Sequence, residues 1–248
     1  MNQTTVINKI NDLNYQGLKD AYLRQIEDAN YNKMSFDERL YNLLEAQDIF
    51  LHNKRIQTNL KASRIKDKQA AVEDLDYNSK RKIDKENMKS LIKMDFIRHH
   101  QNIIVTGKTG TGKSFIAQAL ANRAVQDGFK VYYIRVPTLL EDIKISRADG
   151  TYTSLLKKYS RFQLLILDDF GVSQISTDDA TNLFEIIEDR TELNSTIITS
   201  QLPVSQWYDY LNNDTVADAI LDRVVHSSHR LEIQGESMRK LRSKIVKN

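Results

Sequence analysis

Gly107-Lys108-Thr109-Gly110-Thr111-Gly112-Lys113-Ser114 has the spacing G-x-x-x-x-G-K-[ST], which between a strand and a helix cradles a nucleoside triphosphate. The glycines let the backbone bend so that successive N–H groups point inward at phosphate oxygens, and the following helix adds the positive end of its dipole. Lys113 can reach the β- and γ-phosphates, and the Ser114 hydroxyl can ligate Mg²⁺. Gly107, Thr109, Gly110, Thr111, Gly112, Lys113, Ser114 and Phe115 are therefore the expected cradle for ATP, with Mg²⁺ beside it. Ile103-Ile104-Val105 reads as a short buried strand before the loop, and a helix is expected from Lys113 to Asp127, ended by Gly128.

Beyond the loop, strands are expected at Val131 to Val136, Leu164 to Leu167 and Thr196 to Thr199, with Arg230 to Ile233 as a fifth and a helix from Asp178 to Leu193. Strand alternating with helix means a parallel sheet covered on both faces, so the fold class is α/β, a parallel-sheet P-loop NTPase core. The third strand ends in Asp168-Asp169, where open parallel sheets bind their ligands. Two adjacent acids at the end of a core strand carry a cost that a metal offsets. Asp168 is expected to hold the Mg²⁺ through a water, and Asp169 to orient and polarise the attacking water, so hydrolysis is expected.

Upstream, residues Val6 to Lys68 contain no proline and one glycine, Gly17. Ser35-Phe36-Asp37-Glu38 has capping-box spacing, and Phe36, Leu40, Leu43, Leu44, Phe50 and Leu51 follow at helical spacing on roughly one face. An earlier helix through Leu18, Tyr22 and Ile26 would pack against them to form a small N-terminal all-α domain, expected over 1–68. A polar connector and helix are expected over 69–98, and the ATPase domain over 99–248. The N-terminal domain is assigned to DNA binding and self-assembly.

Charge is distributed unevenly. Between Lys54 and Arg98 there are 13 basic and 7 acidic residues, and the tail from Met238 carries Arg239, Lys240, Arg242, Lys244 and Lys247 with no acid. Such surfaces suit a polyanion, or are ordinary solvated faces. The chain has no cysteine, which excludes disulfides, thiolate chemistry and cysteine-ligated zinc. No apolar run approaches the ~20 residues that span a bilayer, and no signal-peptide pattern is evident, so a cytoplasmic protein without a membrane partner is expected.

With these residues in view, the sequence resembles the AAA+ ATPases of the helicase-loader branch. More closely it is similar to the IstB-like ATP-binding proteins that assist the transposases of a bacterial insertion-sequence family. The resemblance is carried by Met34-Ser-Phe-Asp-Glu-Arg-Leu40, Ala71-Val-Glu-Asp-Leu-Asp-Tyr77, Asn102 to Gly107, Leu164 to Gly171, Ile197 to Pro203, Ala219 to Val224 and His229 to Arg239. It implies a homo-oligomer with ATP between subunits, duplex DNA bound largely without sequence preference, and a cognate transposase as partner. A replicative helicase loader is the alternative.

The resemblance also implies residue roles. Ser200 and Gln201 fall at the sensor position, where the family usually has Asn. Arg223 matches the arginine finger that completes a neighbouring subunit's site. The insert from Pro137 to Arg161 carries Lys144, Arg147, Lys157 and Lys158, which would face DNA. Most AAA+ enzymes have Glu where Asp169 stands, and the shorter side chain predicts slow hydrolysis suited to a timing switch, which turnover well above the ordinary enzyme median of ~10 s⁻¹ would overturn. A small-molecule kinase would need an arginine-bearing lid and an acceptor pocket, neither of which is evident, and a scaffold that never hydrolyses is a further rival. His226 and His229 lack companions for a metal site. His99 and His100 are placed near the adenine or on the surface. Trp207 and the tyrosine-rich strand Val131 to Val136 are read as packing.

Overall fold

The computed structural model describes residues 2–77, 81–238 and 240. The basic tail residues Arg239, Arg242, Lys244 and Lys247 lie outside them. In chain order the helices are α1 (Gln3–Asp12), α2 (Gln16–Glu27), α3 (Phe36–Ala62), α4 (Lys85–Ile92), α5 (Asp95–Arg98), α6 (Lys113–Gln126), α7 (Val136–Ala148), α8 (Tyr152–Ser160), α9 (Thr177–Glu188), α10 (Trp207–Leu211) and α11 (Asp214–Val225). The strands are β1 (Asn102–Gly107), β2 (Val131–Arg135), β3 (Leu164–Phe170), β4 (Ser195–Ser200) and β5 (Ser228–Ile233). Two compact units divide at residue 58.

In the first unit the capping box forms. Ser35 Oγ accepts from the Glu38 N–H, and the Glu38 carboxylate accepts from the Ser35 N–H at 2.7 Å. Helix α2 meets α3 backbone to backbone, because a Cβ added at Gly17 would fall 2.6 Å from the Ala46 carbonyl oxygen. Gln47 fills the seam and accepts from the Leu18 N–H. The apolar face expected on α3 is only partly used: Phe36 is 75% exposed, and Leu40, Leu44 and Leu51 are exposed too. The seam is narrow because α2 presents Gly17, Ala21 and Gln25 to it, residues too small or too polar to cover a row of leucines.

Residues 59–68 pack in the second unit. Asn59 donates to the carbonyls of Gly128 and Phe129, and the Ser63 carbonyl accepts from the Tyr133 N–H at 2.7 Å. The five strands there form one sheet in the order β2-β3-β4-β1-β5, every neighbouring pair parallel. Central strands are apolar on both faces, as helices on both sides require, with Ile103 to Val105, Leu164 to Leu167 and Ile197-Ile198 all buried. Strand β2 stops at Arg135, one residue short of expectation. Val136 opens α7 because Pro137 sits in its first turn, where a missing N–H costs nothing. Trp207 is fully buried against Phe170, with ring centroids 4.4 Å apart.

Helix α9 ends at Glu188, five residues before the expected Leu193, and the reason is Arg190. Its side chain turns inward, 2% exposed with no carboxylate partner among the described residues, and donates to the carbonyls of Tyr159, Phe162 and Ser195 and to Thr196 Oγ1. Burial opposes its charge, and four oxygens take the place of water. Arg190→Ala should destabilise the fold by about 3–5 kcal/mol, since it strands buried carbonyls. Lys, a point charge without the guanidinium fork, should not restore stability. Urea midpoints of the two variants check both statements.

Candidate functional site

All strands point the same way, so the ends of β1, β3 and β4 come together on one edge, where a cavity of about 640 Å³ opens. Lys113 and Ser114 start α6 directly after β1, and Gly112 before them holds a left-handed φ of +93°. Lys113 is buried and its Nζ donates to the Lys108 carbonyl at 3.0 Å. Ser114 Oγ donates to Asp168 Oδ1 at 2.9 Å across the cavity. Thr109 Oγ1 donates to Gln201 Oε1, so the residue after β4 touches the phosphate loop.

The acid pair is shaped by a bulge. Register between β3 and β4 runs Leu167↔Ile198 and then Phe170↔Ser200, so Asp168 and Asp169 together oppose Thr199. Neighbours on a regular strand face opposite sides. Here Asp169 adopts φ +61°, and both carboxylates line the cavity. Its N–H donates to Thr199 Oγ1 at 3.2 Å, which fixes the bulge.

Three residues complete the acids. Tyr133 OH and Thr199 Oγ1 both donate to Asp168, which is 2% exposed and also receives Ser114. Burial and the neighbouring Asp168 push the Tyr133 phenol well above its ordinary pKa, so it stays a donor. Arg135 Nε donates to Asp169 Oδ2 at 2.7 Å, and that bond raises the guanidinium pKa. Sequence reasoning set the tyrosines of β2 aside as packing. The available signal was spacing: Tyr133 and Arg135 lie two apart, hence on one face, at the end of the strand beside the acid pair.

The donor set fits Mg²⁺. Ser114 Oγ and the Asp168 carboxylate are hard oxygens on adjoining elements, and among the described residues no cluster of three His, Cys or acidic side chains offers a softer or all-protein cage. Ser114 and Asp168 would hold the metal, which would supply positive charge to neutralise the phosphates.

The remaining expected residues lie elsewhere. Arg223, on α11, is paired with both oxygens of Glu188 and stacks 5.0 Å from the centre of the Phe184 ring. It lines a second cavity with His99, His100 and Asn102 at the start of β1, so neither histidine joins the phosphate loop. On the insert, Lys144 pairs with Asp179 at 3.2 Å and Arg147 with Asn182 and Glu185. Lys158 donates to Tyr132 OH, whereas Lys157 is exposed with no ion-pair partner among the described residues. No helix among those residues is long and apolar enough to cross a membrane.

A five-stranded parallel sheet of this order, with a glycine loop after its first strand and an acid pair near the end of its third, has the fold of the AAA+ P-loop NTPases. Solved structures share the fold. DnaI matches with a TM-score of 0.58 at 22% identity over 67% of this chain and 92% of that one, and the DnaC helicase loader with 0.51 at 21% over 60% and 89%. The chain belongs to the family described as IstB-like ATP binding protein, whose match spans residues 8–245. Relatives include an insertion-sequence ATP-binding protein, y4pL, of Sinorhizobium fredii, 39% identical over 94% of this chain and 95% of its own. The ATP-binding protein of IS1162 from Pseudomonas fluorescens is 35% identical over 80% and 86%.

Proposed function

We propose that this protein is an ATP-dependent, DNA-binding helper of transposition. It assembles as a homo-oligomer on duplex DNA, hydrolyses ATP slowly with Mg²⁺, and brings its transposase to target DNA. The observation that carries the ATPase half is the convergence of Lys113, Ser114, Asp168, Asp169 and Gln201 on one cavity at the strand ends. The insertion-sequence relatives support the transposase half.

In this reading the loop amides and Lys113 seat the triphosphate, and Ser114 with Asp168 would hold Mg²⁺. Asp169 accepts a proton from the water it orients, and Gln201 positions that water or the γ-phosphate. Asp169 begins in the grip of Arg135, which adds a second cause of slow turnover to its short side chain. The test is filter binding to duplex DNA across a salt series, with and without ATP. Wild type should bind tighter with ATP and Lys113→Ala should not respond. Unchanged ATP-dependent affinity in the variant removes the switch. A pull-down in which helicase, and not transposase, is retained turns the assignment to a helicase loader.

The insert residues differ in what they have to give. Lys157 can meet a phosphate without breaking an internal bond, whereas Lys144 and Arg147 must first leave acidic partners. Lys157→Ala should lower DNA affinity and reduce the slope of log affinity against log salt by about 1, and Lys144→Ala should change it less. The same salt series reads this.

A further inference from the structure

We infer that Arg81, from the segment preceding the ATPase sheet, binds the α- and β-phosphates of the nucleotide. This rests on the ATP-binding reading and adds to it a cationic ligand from outside the phosphate loop. Arg81 is 8% exposed and lines the phosphate-loop cavity together with Lys113. Its Nη2 donates to the Thr111 carbonyl inside the loop. A Cβ added at Gly112 would fall 2.8 Å from that same nitrogen. The guanidinium therefore lies on the bare face of Gly112, and a glycine here is what lets phosphate approach the backbone. Loop amides of this kind cradle the α- and β-phosphates, while the loop lysine reaches the β and γ.

The position is costly for a cation without an anion. The N-terminus of α6 is positive and Lys113 lies in the same cavity; among the described residues the acid paired with Arg81 is Asp76, at 3.9 Å, and Asp67 and Asp74 also line the cavity. Asp168 is engaged by three hydroxyls and Asp169 by Arg135. Burial lowers the Arg81 pKa against the opposing pull of Asp76, so an entering phosphate relieves a penalty already present. The main chain holds the arginine in place: its carbonyl accepts from the Gln234 N–H at 3.1 Å, and four residues on the Met238 N–H donates to the Gly110 carbonyl at 2.9 Å. The segments on either side of the sheet thus both reach the loop.

The experiment is titration of the full-length chain with ADP, and with a non-hydrolysable ATP analogue, in Mg²⁺, for wild type, Arg81→Ala, Arg81→Gln and Arg81→Lys. Ala and Gln should weaken both nucleotides by about 10- to 100-fold, and Lys should keep most of the affinity. A loss shared by ADP and ATP is the mark of an α/β contact. If Arg81 merely braced Thr111, Gln would serve as well as Lys, since either can donate to a carbonyl. Equal affinities for Gln and Lys overturn the inference, as does wild-type ADP affinity in the Ala variant. Should the Ala variant fail to fold, judged by its nucleotide-free melting, the Gln and Lys pair still decides. Failure of wild type itself to bind ADP overturns the ATP reading, and this inference with it.

Discussion

Arg223→Ala should leave ATP binding at its wild-type level and lower turnover by about 10³-fold or more, the usual worth of an arginine finger. Arg223 lies beside the start of β1, whereas the phosphate loop follows its end, and a strand of this length spans roughly 20 Å. The side chain cannot reach its own subunit's phosphates. In the proposed assembly it would act on a neighbour's, after exchanging Glu188 for a phosphoryl oxygen. Mixing tests this directly. Lys113→Ala subunits lack the phosphate anchor but keep Arg223, and Arg223→Ala subunits have the reverse defect. Each should be inactive alone, and phosphate release should return when they are combined. Mixtures as silent as their parents would mean that the site is not shared between subunits.

Asp169→Asn is the second large expectation. Asn tolerates the left-handed backbone that Asp169 occupies, so the bulge should persist and melting should shift by less than about 1 kcal/mol equivalent. The variant loses the proposed proton acceptor and the charge facing Arg135, and turnover should fall by about 10²- to 10⁴-fold with ATP affinity retained. Asp168→Asn should behave differently. It removes the proposed metal ligand and the acceptor of three hydroxyls, so Mg²⁺-dependent nucleotide affinity should fall as well. Phosphate release and nucleotide titration on the two variants separate these roles. Turnover in Asp169→Asn within twofold of wild type would take the water-activating role away from Asp169.

The phosphate loop and the acid pair were legible because each is local: a few consecutive residues fix their backbone, and apolar runs announce the strands that carry them. Thr199, Tyr133 and Arg135 escaped notice because they reach the acids from neighbouring strands, and strand order is a long-range property. The bulge escaped because Asp-Asp fits a regular strand end equally well by composition. Arg81 escaped because it lies in a polar connector with no periodicity. On α3 the helical spacing and cap were legible, but the exposure of Phe36, Leu40 and Leu44 depends on what α2 presents to them.

The oxygen cage around Arg190 limits how force can travel through the domain. It joins Tyr159, near the far end of the insert, and Phe162, just beyond it, to the first residues of β4. Pulling on the insert must therefore either tear its two hydrogen bonds to Arg190 or drag Arg190, which holds the start of that strand by two more. The other end of the strand carries Thr199, clamped to both acids, with Gln201 just beyond it. A tug from outside is thus delivered to the acid pair and the phosphate loop through a stiff rod.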